Sequence, residues 1–331
     1  MNMVAAFCPS PFAEISAKKQ KPKRKAQKAK RKKMKRITTN TVAAMLVFAA
    51  AANAQQPLTH TQHGRLRTVL NPAASLLTDG GEVSVISRRQ WVGVEGAPTV
   101  FWGSGHMGFK DFGATAGVII RHESLAVEKL SEASAFFAKS VRISQTEYLG
   151  LSLNAGIAYM DGRFSQLDPH DPAFGEDVKE VDPLVGFGVM LYSPERYYVG
   201  LSLPRLMLGS LGGSDDSRYN FRNVYHLTAG ALFPLGTDFH FRPSVLVTYS
   251  ESLRPQAEAS ALFFIKQVFG IGGNFRTYGE IAGMAQFNFA NFGLGYSYQF
   301  NPGSEVLSRR INNTTHEIGL SYRFGNQLGL L

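Results

Sequence analysis

His316-Glu317-Ile318-Gly319-Leu320-Ser321-Tyr322-Arg323-Phe324 alternates without a break. Ile318, Leu320, Tyr322 and Phe324 fall on one side, and Glu317, Gly319, Ser321 and Arg323 on the other. Successive side chains of a strand point to opposite faces, so this segment has one greasy face and one wet face. The rhythm recurs upstream: Leu149, Leu151, Leu153, Ala155, Ile157 and Tyr159 share a side against Gly150, Ser152, Asn154 and Gly156. Phe292, Leu294, Tyr296, Tyr298 and Phe300 likewise oppose Gly293, Gly295, Ser297 and Gln299. Strand after strand of this kind, with no helical periodicity between them, fits a transmembrane β-barrel. The aliphatic side faces lipid, aromatics mark the rims, and Glu317 and Arg323 face the lumen.

Counted along the chain, the pattern predicts about fourteen antiparallel strands, near 82–91, 98–109, 113–122, 131–143, 147–161, 183–193, 196–204, 224–234, 238–250, 256–266, 268–277, 281–290, 292–301 and 314–324. An even number returns both barrel ends to one side. The connections are unequal. Lys110-Asp111-Phe112, Gln145-Thr146, Pro194-Glu195, Leu235-Gly236-Thr237 and Asn291 are tight, whereas Val92–Ala97, Glu123–Leu130, Ser165–Pro183, Arg205–Arg222 and Asn301–Asn313 read as longer loops. Short turns on the periplasmic side and long loops outside is the asymmetry of outer-membrane barrels. On this reading Lys in place of lipid-facing Leu153 costs roughly 2–4 kcal/mol, while the same change at Ser152 is tolerated.

The bulk charge needs dissection. Of 35 Lys and Arg, 13 lie between Lys18 and Arg36, and removing residues 1–54 leaves 22 cations against 24 acids. The overall +10 is therefore a property of the N-terminal segment. A basic run can bind nucleic acid, but this one leads into an apolar stretch, Val42 to Ala52, and then Ala52-Asn53-Ala54. Positive region, short apolar region and A-x-A site in that order are a secretory signal. We read residues 1–33 as a basic extension, 34–54 as the signal, 55–81 as a periplasmic lead-in, 82–325 as the barrel and 326–331 as a tail. Cys8, the single cysteine, lies in the removed part, so the mature chain forms no disulfide and offers no thiolate metal site.

No catalytic set emerges, and we expect neither enzyme activity, metal nor cofactor. Asp168-Pro169-His170-Asp171-Pro172 groups cation-binding side chains, but Asp-Pro pairs are ordinary turn starters. His226, His240 and His316 lie on strands, and periodicity places no serine opposite them. Gly270-Ile271-Gly272-Gly273 opens no helix and is no phosphate loop. One segment reads as more than wall: Arg88-Arg89-Gln90-Trp91-Val92-Gly93-Val94-Glu95-Gly96-Ala97-Pro98-Thr99. It is either an interfacial aromatic anchor with snorkelling arginines or a partner-docking or gating element at the mouth, carried by Arg89, Gln90, Trp91, Gly93, Gly96 and Pro98.

At this segment the chain resembles the PorP/SprF family of type IX secretion. The matching pieces are Asn71-Pro72-Ala73, Arg89-Gln90-Trp91-Val92-Gly93 with Gly96-Ala97-Pro98, Tyr198-Val199-Gly200-Leu201-Ser202-Leu203-Pro204 and His226-Leu227-Thr228-Ala229-Gly230. Phe233-Pro234-Leu235, Arg242-Pro243-Ser244 and His316-Glu317-Ile318 complete the set. Where the family usually continues Asn-Pro-Ala with Tyr-Ala-Gly, this chain has Ala74-Ser75. The resemblance implies a non-enzymatic outer-membrane barrel, and the even strand count with periplasmic short turns places both termini in the periplasm. Its implied partners are other secretion components and a secreted adhesin-type protein, as in gliding motility and surface anchoring. A transport channel for small or hydrophobic solutes is the alternative on the same fold.

Overall fold

The computed structural model describes residues 60–78, 80–167, 176–208, 223–250, 254–277, 280–300 and 314–325. The segment read as a secretory signal, the Asp168–Pro172 cluster and residues 301–313 lie outside the described residues.

Fifteen strand segments make one antiparallel sheet: β1 (Gly81–Arg89), β2 (Thr99–Phe109), β3 (Ala114–Leu125), β4 (Glu128–Arg142), β5 (Tyr148–Gly162), β6 (Val178–Ser193), β7 (Tyr197–Met207), β8 (Val224–Ala231), β9 (Phe233–Leu235), β10 (Phe239–Ser250), β11 (Gln256–Ile265), β12 (Phe269–Arg276), β13 (Glu280–Phe289), β14 (Phe292–Phe300) and β15 (Thr315–Phe324). β8 and β9 both pair with β10 and form one stave interrupted at Leu232. The wall therefore has fourteen staves, and pairing of β1 with β15 and of β10 with β11 closes the ring. Closure leaves no sheet edge, which hydrocarbon would not tolerate.

The burial pattern is inverted relative to a water-soluble protein. Leu153, Ile157, Phe187, Leu201, Ile271, Phe275 and Leu320 are all more than half exposed, while Ser152, Asn154, Asn274, Gln286, Ser297 and Glu317 are buried. That is the outcome expected of a lipid-facing exterior and a packed polar interior.

Connections at one end, from Lys110–Gly113 round to Ala290–Asn291, span two to five residues. At the other end they run up to sixteen, but the β3–β4 connection departs from the sequence reading. Glu123–Leu130 is no loop: β3 reaches Leu125, β4 starts at Glu128, and Ala126 takes a positive φ of 50° in the tight turn between them. β6 likewise begins at Val178 and β7 continues to Met207. These extensions carry charges on the inner face instead of glycines and serines, so alternation by hydropathy alone misses them. Arg121 pairs with Glu123 and Glu132, and Arg205 with Glu132 at 2.5 Å.

β7 is irregular at Pro204. Its register to β8 shifts between Ser202 and Arg205, because proline has no N–H to give the ladder. The Pro204 carbonyl instead accepts from Asn154 Nδ2 inside the lumen at 2.9 Å.

Residues 60–78, read from sequence as a lead-in outside the barrel, lie among its inward-facing side chains. One helical turn, α1 (Arg67–Leu70), precedes a 3-10 turn, Pro72–Leu77. His60 to His63 and Leu66 to Ser75 are buried throughout.

Candidate functional site

β15 serves as a ruler for the direction of this plug. Thr61 and Gln62 meet Glu317, near the long-loop end of β15; Arg65 meets Ser321 further down. The 3-10 turn reaches the short-turn end: Ala73 and Ala74 pack on Met190, Tyr192 and Tyr198, and Leu76 lies over Gly150. The chain thus runs down the lumen from the long-loop mouth and turns into β1 at the opposite end. Gly81 and Phe324 face each other there. His60 and Phe324 therefore lie at opposite ends of the barrel, although β1 starts and β15 ends on the same side.

Upper and lower plug are held by different chemistry. Above, the Glu317 carboxylate accepts from the backbone N–H of Gln62 at 2.7 Å and of Thr61 at 3.1 Å. Arg88 donates to it at 3.4 Å, and His60 Nδ1 lies 3.5 Å away. Arg88 also donates to Gln299 at 3.0 Å, and Gln62 Nε2 returns a bond to the Glu317 carbonyl at 3.1 Å. Below, Leu66, Val69 and Leu70 pack with Ile86, Val100, Trp102, Ile119, Phe136 and Leu246. Asn71 joins the two chemistries. Its side-chain oxygen caps the 3-10 turn at the Ala73 N–H (3.0 Å), and its nitrogen donates to the Val189 carbonyl at 3.1 Å. The wall admits it through glycine: a Cβ on Gly188 would sit 2.2 Å from Asn71 Oδ1 and one on Gly200 2.7 Å from Nδ2.

The sequence candidates are placed as follows. Glu317 faces the lumen and is the clasp of the plug. Arg323 also faces inward and donates to Glu82 at 2.7 Å. The two candidates do not pair with each other; each pairs across the closing seam, where Arg88 is the register partner of Glu317 and Glu82 that of Arg323. Opposite charges directly across an antiparallel ladder favour one register. The Arg88-Arg89 pair is split. Arg88 is fully buried in the lumen, whereas Arg89 is exposed on the outer face.

Gln90, Trp91, Gly93, Gly96 and Pro98 form the long-loop rim. The Gln90 N–H donates to the Pro98 carbonyl at 3.0 Å, and the Val92 N–H to the Thr314 carbonyl at 3.3 Å. The Gly96 carbonyl accepts from Ala126 at the β3–β4 tip, at 2.9 Å. Trp91 is 43% exposed with a φ of 46°, a backbone conformation that a bulky side chain disfavours.

Ser152, judged tolerant from alternation alone, is buried beside Gly188 and the Asn71 site, so a lysine there would meet the plug. Sequence periodicity also missed a serine-histidine contact. His63 Nε2 lies 3.0 Å from Ser244 Oγ, which contacts Ser260 Oγ at 2.7 Å. Glu258 lies 4.0 Å from His63 Nδ1, beyond hydrogen-bond reach, and pairs with Arg276 at 3.1 Å. All these groups are buried, and together they anchor the plug to β10 and β11. His226 contacts Thr248, not a serine, at 3.2 Å. Among the described residues no group of three or more His, Cys, Asp or Glu is arranged to hold a metal ion.

The sequence profile of the type IX secretion system membrane protein PorP/SprF matches residues 52–322, which spans the plug and reaches into the last strand, β15. The chain belongs to the PorP/SprF family. No individually curated protein sequence matches it. By structure this PorP/SprF protein is similar to the Acinetobacter baumannii outer membrane protein Omp33, at 8% identity and a TM-score of 0.44, covering 75% of this chain and 99% of that one. It is similar to the CymD monoaromatic hydrocarbon channel at 11% identity and a TM-score of 0.49, covering 79% and 93%. For BamA from Haemophilus ducreyi lacking POTRA domains 1–3 the values are 10% and 0.39, covering 74% and 70%. By its family and its own closed wall of fourteen staves, the PorP/SprF chain is a β-barrel membrane protein of type IX secretion.

Proposed function

We propose that this barrel acts without catalysis, as a plugged platform that helps a large adhesin-type partner reach or stay on the cell surface. The observation that carries the reading is the filled lumen. A segment clasped by Glu317 above and packed by Leu66 and Leu70 below leaves the interior occupied by the chain itself. Such an interior suits docking better than free passage of solutes. The rim supplies the surface: Arg89, Gln90, Trp91, Gly93, Gly96 and Pro98, with Trp91 presented on a strained backbone whose cost is of order 1–3 kcal/mol. Short turns belong to the periplasm on this reading. The start of β1 and the end of β15 then face the periplasm, while His60 lies toward the surface.

Deletion of the gene tests the proposal. Loss of one large surface protein, with uptake of small and hydrophobic solutes unchanged, is the expected result. An intact surface proteome overturns it. Steady conductance of the purified barrel in a planar bilayer would instead favour the channel alternative.

A further inference from the structure

Between plug and wall, in the short-turn half of the lumen, lies a small polar cavity. Four arginines line it. Arg65 and Arg67 come from the plug, Arg242 from β10 and Arg323 from β15. The only carboxylate lining it among the described residues is that of Glu82, which receives the Arg323 Nε at 2.7 Å. Arg65 donates to Ser321 at 2.7 Å, a neutral acceptor, and one of the contacts of Arg242 is a bond to Gln286 at 2.9 Å. Arg67 is only 8% exposed, and its guanidinium has no hydrogen-bond partner among the described residues. A guanidinium buried without a partner, as that of Arg67 is, demands a counter-charge, since an uncompensated buried charge is strongly unfavourable.

We propose that this cavity binds one free tetrahedral oxyanion, phosphate or sulfate, which bridges the plug arginines to those of the wall. Guanidinium groups present paired N–H donors that match the oxygens of such an anion. The cavity has room for a small ion or a few waters but not for a peptide. The wall separates it from lipid, so the occupant is free anion, not a lipid headgroup. Because Arg65 and Arg67 are on the plug, the anion acts as a tie between the plug and β10 and β15. This site stands independently of the adhesin reading.

Equilibrium dialysis of the purified, delipidated barrel against radiolabelled inorganic phosphate, at ionic strength fixed with sodium chloride, tests it. One phosphate per chain, saturable and displaced by sulfate, is expected. Arg67→Met should weaken binding by roughly tenfold or more, and Arg163→Met, at an exposed position just past β5, should leave it unchanged. Stoichiometry near zero overturns the proposal, as does binding equal in wild type and Arg67→Met. Should Arg67→Met fail to fold, the wild-type stoichiometry and the sulfate competition decide alone.

Discussion

The upper and lower halves of the plug occupy one lumen by opposite means. From His60 to Arg65 the segment is held by carboxylate, guanidinium, imidazole and hydroxyl groups, chiefly around Glu317. From Leu66 to Leu77 it is held by apolar packing against two buried clusters. Packing is non-directional and tolerates small shifts, whereas a buried charged clasp is satisfied in one geometry and costly in any other. The upper half therefore fixes the position of the plug, and the lower half supplies most of its burial.

The largest effect should come from breaking the clasp. Glu317→Ala leaves Arg88 buried without its carboxylate and frees two backbone N–H groups, a loss of ~3–5 kcal/mol. Thermal unfolding should show it, and intermittent conductance in planar bilayers should accompany release of the upper half. Equal conductance in wild type and variant would mean that the clasp does not hold the lumen shut. Next, Leu70→Ala removes a fully buried side chain from the lower half and should cost about 2–5 kcal/mol. Here denaturation should shift while the wild-type conductance persists, because the charged contacts above are intact. Asn71→Ala, at the joint, deletes a cap worth ~1 kcal/mol together with its bond to the β6 backbone. Its effect should be read as faster hydrogen exchange at Ala73 and Ala74; unchanged exchange there would show that the joint is held by its neighbours.

The smallest effect lies outside both halves. Glu147, in the exposed β4–β5 turn, accepts from Tyr197 Oη at 2.6 Å and Ser144 Oγ at 3.1 Å, which hold its carboxyl below the ordinary 4.5. A depressed carboxylate contributes above its unfolded value, and the contribution is lost as pH falls through the lower folded value. Acidification below about pH 4.5 should loosen this turn and leave the plug in place. Exchange at the Ser144 and Glu147 amides, compared with Gln62, would detect the difference.

Alternation made the wall legible because every stave has one lipid-facing side, and a sequence such as Glu317–Phe324 cannot shift by one residue without burying charge in hydrocarbon. The β3–β4 hairpin escapes the pattern where the inner face changes to Arg121, Glu123 and Glu132, a charged group in which Arg121 pairs within β3 and Glu132 reaches across to Arg121 and Arg205. The plug left no periodic mark. His60 to Leu77 makes its contacts with residues as far as 256 positions away, such as Glu317, and local pattern carries no record of them. Traces exist in hindsight on the partner side: Gly188, Gly200 and Gly295 clear inner-wall space for Asn71 and Gln62. Glu317 and Arg323 were recognisable as lumen residues by face alone, but their true partners, Arg88 and Glu82, follow only from the register of the closing seam.

That seam also sets an order of events. The strand that completes the ring, β15, is the last to be made, and it carries the carboxylate that grips the part of the chain just ahead of β1. A closed ring of fourteen staves offers no side door through which the segment could later be laid in. The simplest assembly encloses residues 60–78 while the ring is still open, with β15 closing over them. Such a long-range contact forms slowly, since the loop between its ends must be ordered first. The cylinder is thus born occupied.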